Sequence, residues 1–167
     1  MRFILREKFL AFGEDFYIQD EHGRDVFLVD GKVFSLGDRL SIRDMAGNEV
    51  ASIRQRLIAL RPTYEIERNG QHAATINKAL FSFFSDRFTI DVPGPDDFVA
   101  HGDFWDHEYA FERGGQAVAY VSKQWFSFRD TYGVDVADGE DAILILATAV
   151  VIDLISNDEE RRRQQNH

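Results

Sequence analysis

A chain of 167 residues supports one domain with a sizeable core, and 44% hydrophobic and 13% aromatic residues exclude intrinsic disorder. The formal charge of -10 disfavours general nucleic-acid binding, which uses a basic face. With no cysteine, disulfides, thiolate metal sites and cysteine nucleophiles are excluded.

The chain opens MRFILREKFLAF, where Arg6, Glu7 and Lys8 break the apolar run, so a signal-peptide core is missing and a cytoplasmic protein is expected. FYIQDEHGRDVFLVDG (16–31) and LSIRDMAGNEVASI (40–53) share one scheme: strand, Asp, a loop with Gly, strand. Both predict hairpins in which Gly23 and Gly47 supply a positive φ. Arg54 and Arg56 follow on one strand face, with Arg61, Lys78 and Arg87 nearby in sequence. Guanidinium groups match phosphate geometry, so this cluster is the candidate contact for a phosphorylated lipid headgroup. Its ordinary role is to keep an outward strand face soluble.

A longer repeat follows. YEIERNGQHAATINKALFSF (64–83) aligns without gaps on YAFERGGQAVAYVSKQWFSF (109–128), and FTIDV (88–92) then lies over YGVDV (132–136). Each copy reads as a strand, an Asn-Gly or Gly-Gly turn, a second strand, a Phe-rich connection and a third strand. Between the copies, VPGPDDFVAHG (92–102) carries Pro93 and Pro95 and reads as a loop.

HGDFWDHEY (101–109) concentrates ionisable groups. On an uninterrupted strand His101, Asp103 and His107 share one face, a donor set that suits zinc or iron in type. Trp105 stands between them on that face and the spacing matches no established site, so a polar strand face is the competing reading. No catalytic residue emerges: there is no G-x-S-x-G and no phosphate-binding glycine loop.

The final segment, DGEDAILILATAVVIDLI (138–155), is uncharged from Ala142 to Ile152. It reads as a helix capped by Asp138, with Glu140 and Asp141 at the positive end of its dipole. Bulky apolar side chains occupy every face, so the helix is buried in protein or in a bilayer. Spanning a bilayer takes about 20 apolar residues, more than this run supplies before Asp153. About ten to twelve strands precede it, and a closed sheet of that size leaves a lumen that something must fill. The helix fills it. The tail DEERRRQQNH (158–167) reads as a solvated end with Asp158–Arg162 and Glu159–Arg163 pairs.

KQWFSFRDTYGVDVADGEDAILILATAVVIDLI (123–155), GDFWDHEYAFERGGQAVA (102–119) and PTYEIERNGQ (62–71) together resemble the LURP-one-related family in its short prokaryotic form. Residues 5–53 fit the same pattern, so the likeness covers nearly the whole chain. The resemblance implies a tubby C-terminal-like fold, mainly β: a closed barrel of about twelve antiparallel strands around a central hydrophobic C-terminal helix. Tubby proteins bind phosphoinositides, and phospholipid scramblases are similar in fold. The family brings no established activity, and fold does not fix function.

The expectation is one domain over 1–167, with the barrel in 1–137 and the helix and tail in 138–167. It is a cytoplasmic, non-enzymatic binding or scaffold module with no cofactor, meeting a protein or lipid-like ligand. The alternative is phosphoinositide or anionic-phospholipid binding through Arg54, Arg56, Arg61 and Lys78, by peripheral membrane contact. Third comes a metal-dependent enzyme on His101, Asp103 and His107.

Overall fold

The computed structural model describes residues 1–7, 15–30, 39–56, 63–78, 87–125 and 130–167. Its strands are β1 (Arg2–Arg6), β2 (Phe16–Asp20), β3 (Asp25–Asp30), β4 (Arg39–Asp44), β5 (Glu49–Gln55) and β6 (Thr63–Arg68), then β7 (Gln71–Lys78), β8 (Arg87–Asp91), β9 (Phe98–Asp103), β10 (Glu108–Arg113), β11 (Gln116–Ser122) and β12 (Thr131–Val136). One helix, α1 (Ala142–Gln165), follows. Each strand pairs antiparallel with its neighbour in the chain, and β1 closes the barrel on β12 from Arg2↔Asp135 to Arg6↔Thr131.

Alternation along the strands sends Leu5, Ile18, Ile53, Ile66, Ile76 and Phe88 inward, and all are buried. The lumen they line is occupied by α1, whose residues Leu144 to Ile155 are buried without interruption. A lone amphipathic helix would leave one face in water; here the barrel covers every face. Among the described residues no helix is long and apolar enough to cross a membrane.

The two hairpins predicted at Gly23 and Gly47 form as expected, with φ of 78° and 88°. In each, the aspartate that ends the first strand accepts backbone N–H groups of the turn: Asp20 from His22 and Arg24, Asp44 from Ala46 and Asn48. These bonds, led by Arg24 N–H for Asp20 and Asn48 N–H for Asp44, hold both carboxyls below their ordinary pKa. The register shifts by a bulge beside the turn in four hairpins, after Ile18, Ile42, Ile66 and Phe111, which adds the local twist a closing sheet needs.

The internal repeat is present in three dimensions. Its copies are the meanders β6–β7–β8 and β10–β11–β12, with the bulge at equivalent positions, Ile66 and Phe111. Equivalent arginines perform equivalent tasks. Arg68 hydrogen-bonds Asp141, and Arg113 hydrogen-bonds Glu140 at 2.8 Å, so both copies grip the start of α1. Arg113 also stacks on Phe98, 4.1 Å from its ring centre, and its Nε donates to the carbonyl of Asp96 in the proline loop.

The helix begins three residues later than the pattern of acids suggests. Asp138 and Gly139 form a turn instead, with Gly139 at φ 84° and Glu140 N–H bonded to the Ala137 carbonyl. Asp141 is the cap: its side chain accepts from Leu144 N–H at 3.2 Å. The first turn therefore holds no acid, and Glu140 and Asp141 answer the two arginines. At the other end α1 runs on to Gln165, with Arg162 and Asp158 paired at 3.0 Å as predicted. Glu159 turns instead to Lys78, and Arg163 stacks over Trp105.

Because α1 fills the lumen with a continuous run of buried residues, a chain lacking residues 138–167 is expected to fail to fold. Circular dichroism and thermal melting check this: a truncated chain that melts cooperatively would show that the barrel closes without α1.

Candidate functional site

The sequence-predicted residues fall on three separate parts of the barrel. Arg54 on β5 and Arg56, just past its end, are both exposed. Arg56 Nε lies 3.5 Å from Glu65 Oε1 on β6, whereas Arg54 makes no ion pair among the described residues. Across the sheet Arg54 faces Arg39 on β4 and Glu65 on β6. Lys78, at the end of β7, is drawn away from this wall: its ammonium donates to both carboxylate oxygens of Glu159 on α1, at 2.7 and 2.8 Å. Arg61 lies outside the described residues.

The 101–108 segment is divided by its backbone. β9 ends at Asp103, residues 104–107 form a turn, and His107 adopts φ 51°. Strand alternation therefore stops at Asp103, and the three candidate ligands do not share a face. His101 sits on the outer wall, its Nε2 2.8 Å from Glu112 Oε1 but not aligned for a hydrogen bond. Asp103 accepts the backbone N–H of Asp106 at 3.1 Å and stabilises the turn. His107 points inward. Among the described residues no three His, Asp or Glu side chains gather so as to hold a metal ion. Gly102 is needed for close approach: a Cβ there would meet the Glu108 carbonyl oxygen at 2.6 Å.

His107 enters a buried polar cluster at the end of the barrel where α1 leaves. Its Nε2 lies 2.8 Å from Asp153 Oδ1, and the Tyr132 hydroxyl donates to Asp153 Oδ2. The imidazole stacks on Tyr132 with ring centres 4.3 Å apart. Its Nδ1 is 3.9 Å from Glu7 Oε1, which Lys123 Nζ approaches to 2.6 Å. The chain Lys123–Glu7–His107–Asp153–Tyr132 thus runs from the rim to the interior. Burial pushes the Tyr132 and Tyr109 hydroxyls well above their ordinary pKa, and the charge of Asp153 adds to the effect. Both phenols stay protonated, which suits Tyr132 as a donor.

Sequence reasoning missed this cluster. The signal was the one acid on the apolar part of α1: Asp153 is only 3% exposed, and a buried carboxylate needs donors.

A shallow groove of about 410 Å³ lies on the outer wall over β9, β10 and β11. His101, Ala110 and Tyr120 face one another in register across the three strands and lie in the groove with Trp125 and Glu108. Ala110 leaves space where a larger side chain would fill it. Tyr120, 52% exposed, is one of the large apolar side chains left open to water. Glu108 Oε1 accepts from Ser122 Oγ at 2.9 Å and from Lys123 N–H at 3.1 Å.

A closed twelve-stranded antiparallel barrel filled by its own C-terminal helix is a distinctive class of protein. Residues 1–153 match the profile of the family described as LURP-one-related, and the chain belongs to that family. It is 33% identical over 157 residues to the uncharacterised protein YxjI of Bacillus subtilis strain 168, covering 93% of this chain and 94% of that one. Protein LURP-one-related 14 of Arabidopsis thaliana is 23% identical over 170 residues, covering 92% and 83% of the two chains. A crystal structure of an Arabidopsis thaliana protein superposes with a TM-score of 0.66 over 93% of this chain and 90% of that one. At 16% identity that likeness concerns the fold alone.

Tyr132→Phe deletes the hydroxyl that satisfies Asp153 Oδ2 and changes little else. A hydrogen bond to a charged group contributes about 1.5–3 kcal/mol, so urea unfolding should register a loss of that size with an unchanged m-value.

Proposed function

We propose that this LURP-one-related chain is a cytoplasmic, non-catalytic binding module that meets its ligand on the outside of the barrel. One observation carries the reading: the lumen is filled by α1 while the outer wall holds an open groove. A ligand pocket inside the barrel would have to displace the helix, along with its arginine and lysine anchors. The groove over β9–β11 needs no such rearrangement. It offers an aromatic ring, a small floor residue and a carboxylate, the mixture of apolar surface and few polar groups that binding sites use.

The second reading is contact with a phosphoinositide or anionic phospholipid headgroup through Arg54 and Arg56, with Arg61 and Lys78 as further candidates. Arg54 favours it, being exposed and without an ion pair among the described residues. The implied likeness to tubby proteins favours it too. The bidentate Lys78–Glu159 pair counts against Lys78, whose charge is already met.

A thermal-shift screen of the purified protein against phosphoinositide headgroups, short-chain lipids and charged peptides separates the two. Ligand binding only the folded state raises its stability by about 2.7 kcal/mol at a hundredfold excess over Kd. Groove binding is expected to give a shift that Ala110→Arg abolishes and Arg54→Glu/Arg56→Glu leaves intact. The reverse pattern, with shifts from lipid headgroups, establishes the lipid reading and removes the groove.

A further inference from the structure

We infer that the outer groove over β9–β11 takes arginine side chains from a basic polypeptide segment of a partner protein. The inference rests on the groove reading above and assigns its ligand chemistry. Three observations lead to it.

The first is charge. From Phe98 to Glu112 the chain carries Asp103, Asp106, Glu108 and Glu112 with no lysine or arginine. Among the described residues, Asp103, Asp106 and Glu108 have no cationic side chain within ion-pair distance. Glu108 is the acid that lines the groove. Both bonds it receives, from Ser122 and Lys123 N–H, arrive at Oε1. No bond to Oε2 occurs among the described residues, so the carboxylate is fixed in place with one oxygen left to accept. Cations do stand at the edges, Arg87 on β8 opposite His101 and Arg2 over Trp125, but the free Glu108 oxygen itself complements a cation.

The second is the aromatic lining. Tyr120, half exposed, lines the groove together with Trp125. Trp125 already carries a guanidinium on its face, that of Arg2, 4.9 Å from the ring centre. Guanidinium stacks on aromatic rings better than ammonium does, and its planar fork also matches a carboxylate. Arginine can therefore stack on Tyr120 and reach Glu108 together, where lysine offers only the charge.

The third is size. A shallow groove of about 410 Å³ on the outer wall has room for one or two long side chains while their backbone remains outside. That geometry fits an extended segment crossing the wall.

The test uses a fluorescein-labelled peptide, Gly-Arg-Gly-Arg-Gly-Arg-Gly, titrated with full-length protein and followed by fluorescence anisotropy at 0.15 M salt. Its twin has citrulline at each arginine position, keeping shape but removing charge. Saturable binding is expected for the arginine peptide and none for the citrulline peptide. Tyr120→Ser should weaken binding about threefold to fivefold. Glu108→Gln keeps the acceptor for Ser122 and Lys123 and should weaken it about tenfold or more. Glu21→Gln, which removes one charge in the distant β2–β3 turn, should leave it unchanged. All three variants should melt at the wild-type temperature.

Equal binding of the citrulline twin, equal losses for Glu108→Gln and Glu21→Gln, or no binding of the arginine peptide would each overturn the inference. The underlying reading fails separately. If the arginine peptide does not bind but Ala110→Arg still abolishes another ligand's thermal shift, the groove stands and only its ligand changes.

Discussion

An apolar helix cannot stand in water on any face, and a closed sheet of twelve strands cannot stand around an empty lumen. Each element supplies what the other lacks, and the rest of the molecule is arranged around that mutual need. Ionic contacts fix where the helix sits along the barrel axis. At its start, Asp141 and Glu140 meet Arg68 and Arg113. At its exit, Asp153 meets His107 and Tyr132, and Glu159 meets Lys78. Apolar packing alone is nearly indifferent to a slide of one helical turn, because Leu, Ile and Val recur on every face. The polar contacts are specific to one position, so they supply the register that hydrophobic burial cannot.

These anchors come from the internal repeat. Arg68 and Arg113 occupy the same place in the two copies, as do Lys78 and Lys123. The arginines keep one target, the helix start. The lysines have diverged: Lys78 holds the helix tail through Glu159, and Lys123 holds Glu7 at the end of β1. Through Glu7 the second lysine reaches His107 and the buried cluster. A duplicated meander thus supplies two matched grips at one end of the barrel and two different ones at the other.

Much of this was legible in the chain. Alternation with glycine turns yielded the strands, and an all-apolar run too short for a bilayer yielded the central helix. What escaped depended on contacts distant in sequence. Asp138 has the chemistry of a cap, but the following Gly139 makes a turn, and only Arg68 and Arg113 show why Glu140 and Asp141 are held outside the helix. His107 looked like a strand residue in line with His101 and Asp103. The turn at 104–107 rotates it inward to a partner 46 residues away. The groove was invisible for another reason: Tyr120 is unremarkable until register sets it beside Ala110 and His101.

The repeat also provides an internal comparison for that groove. Glu65 and Thr75 pair across β6 and β7 where Ala110 and Tyr120 pair across β10 and β11. The inward positions stay apolar in both copies: Tyr64 and Tyr109, Ile66 and Phe111, Ala74 and Ala119, Ile76 and Val121. The outward pair has gone opposite ways. In the first copy it is polar, and Glu65 is engaged by Arg56. In the second, a methyl opens the floor and a ring is left in water at about half exposure. Packing against α1 constrains the inner faces alike and places no demand on the outer ones. An exposed tyrosine over a small residue contributes little to the barrel that Glu65 and Thr75 do not supply in its twin. The two copies of one meander therefore diverge on the outer face of β10 and β11 while keeping the core that both share.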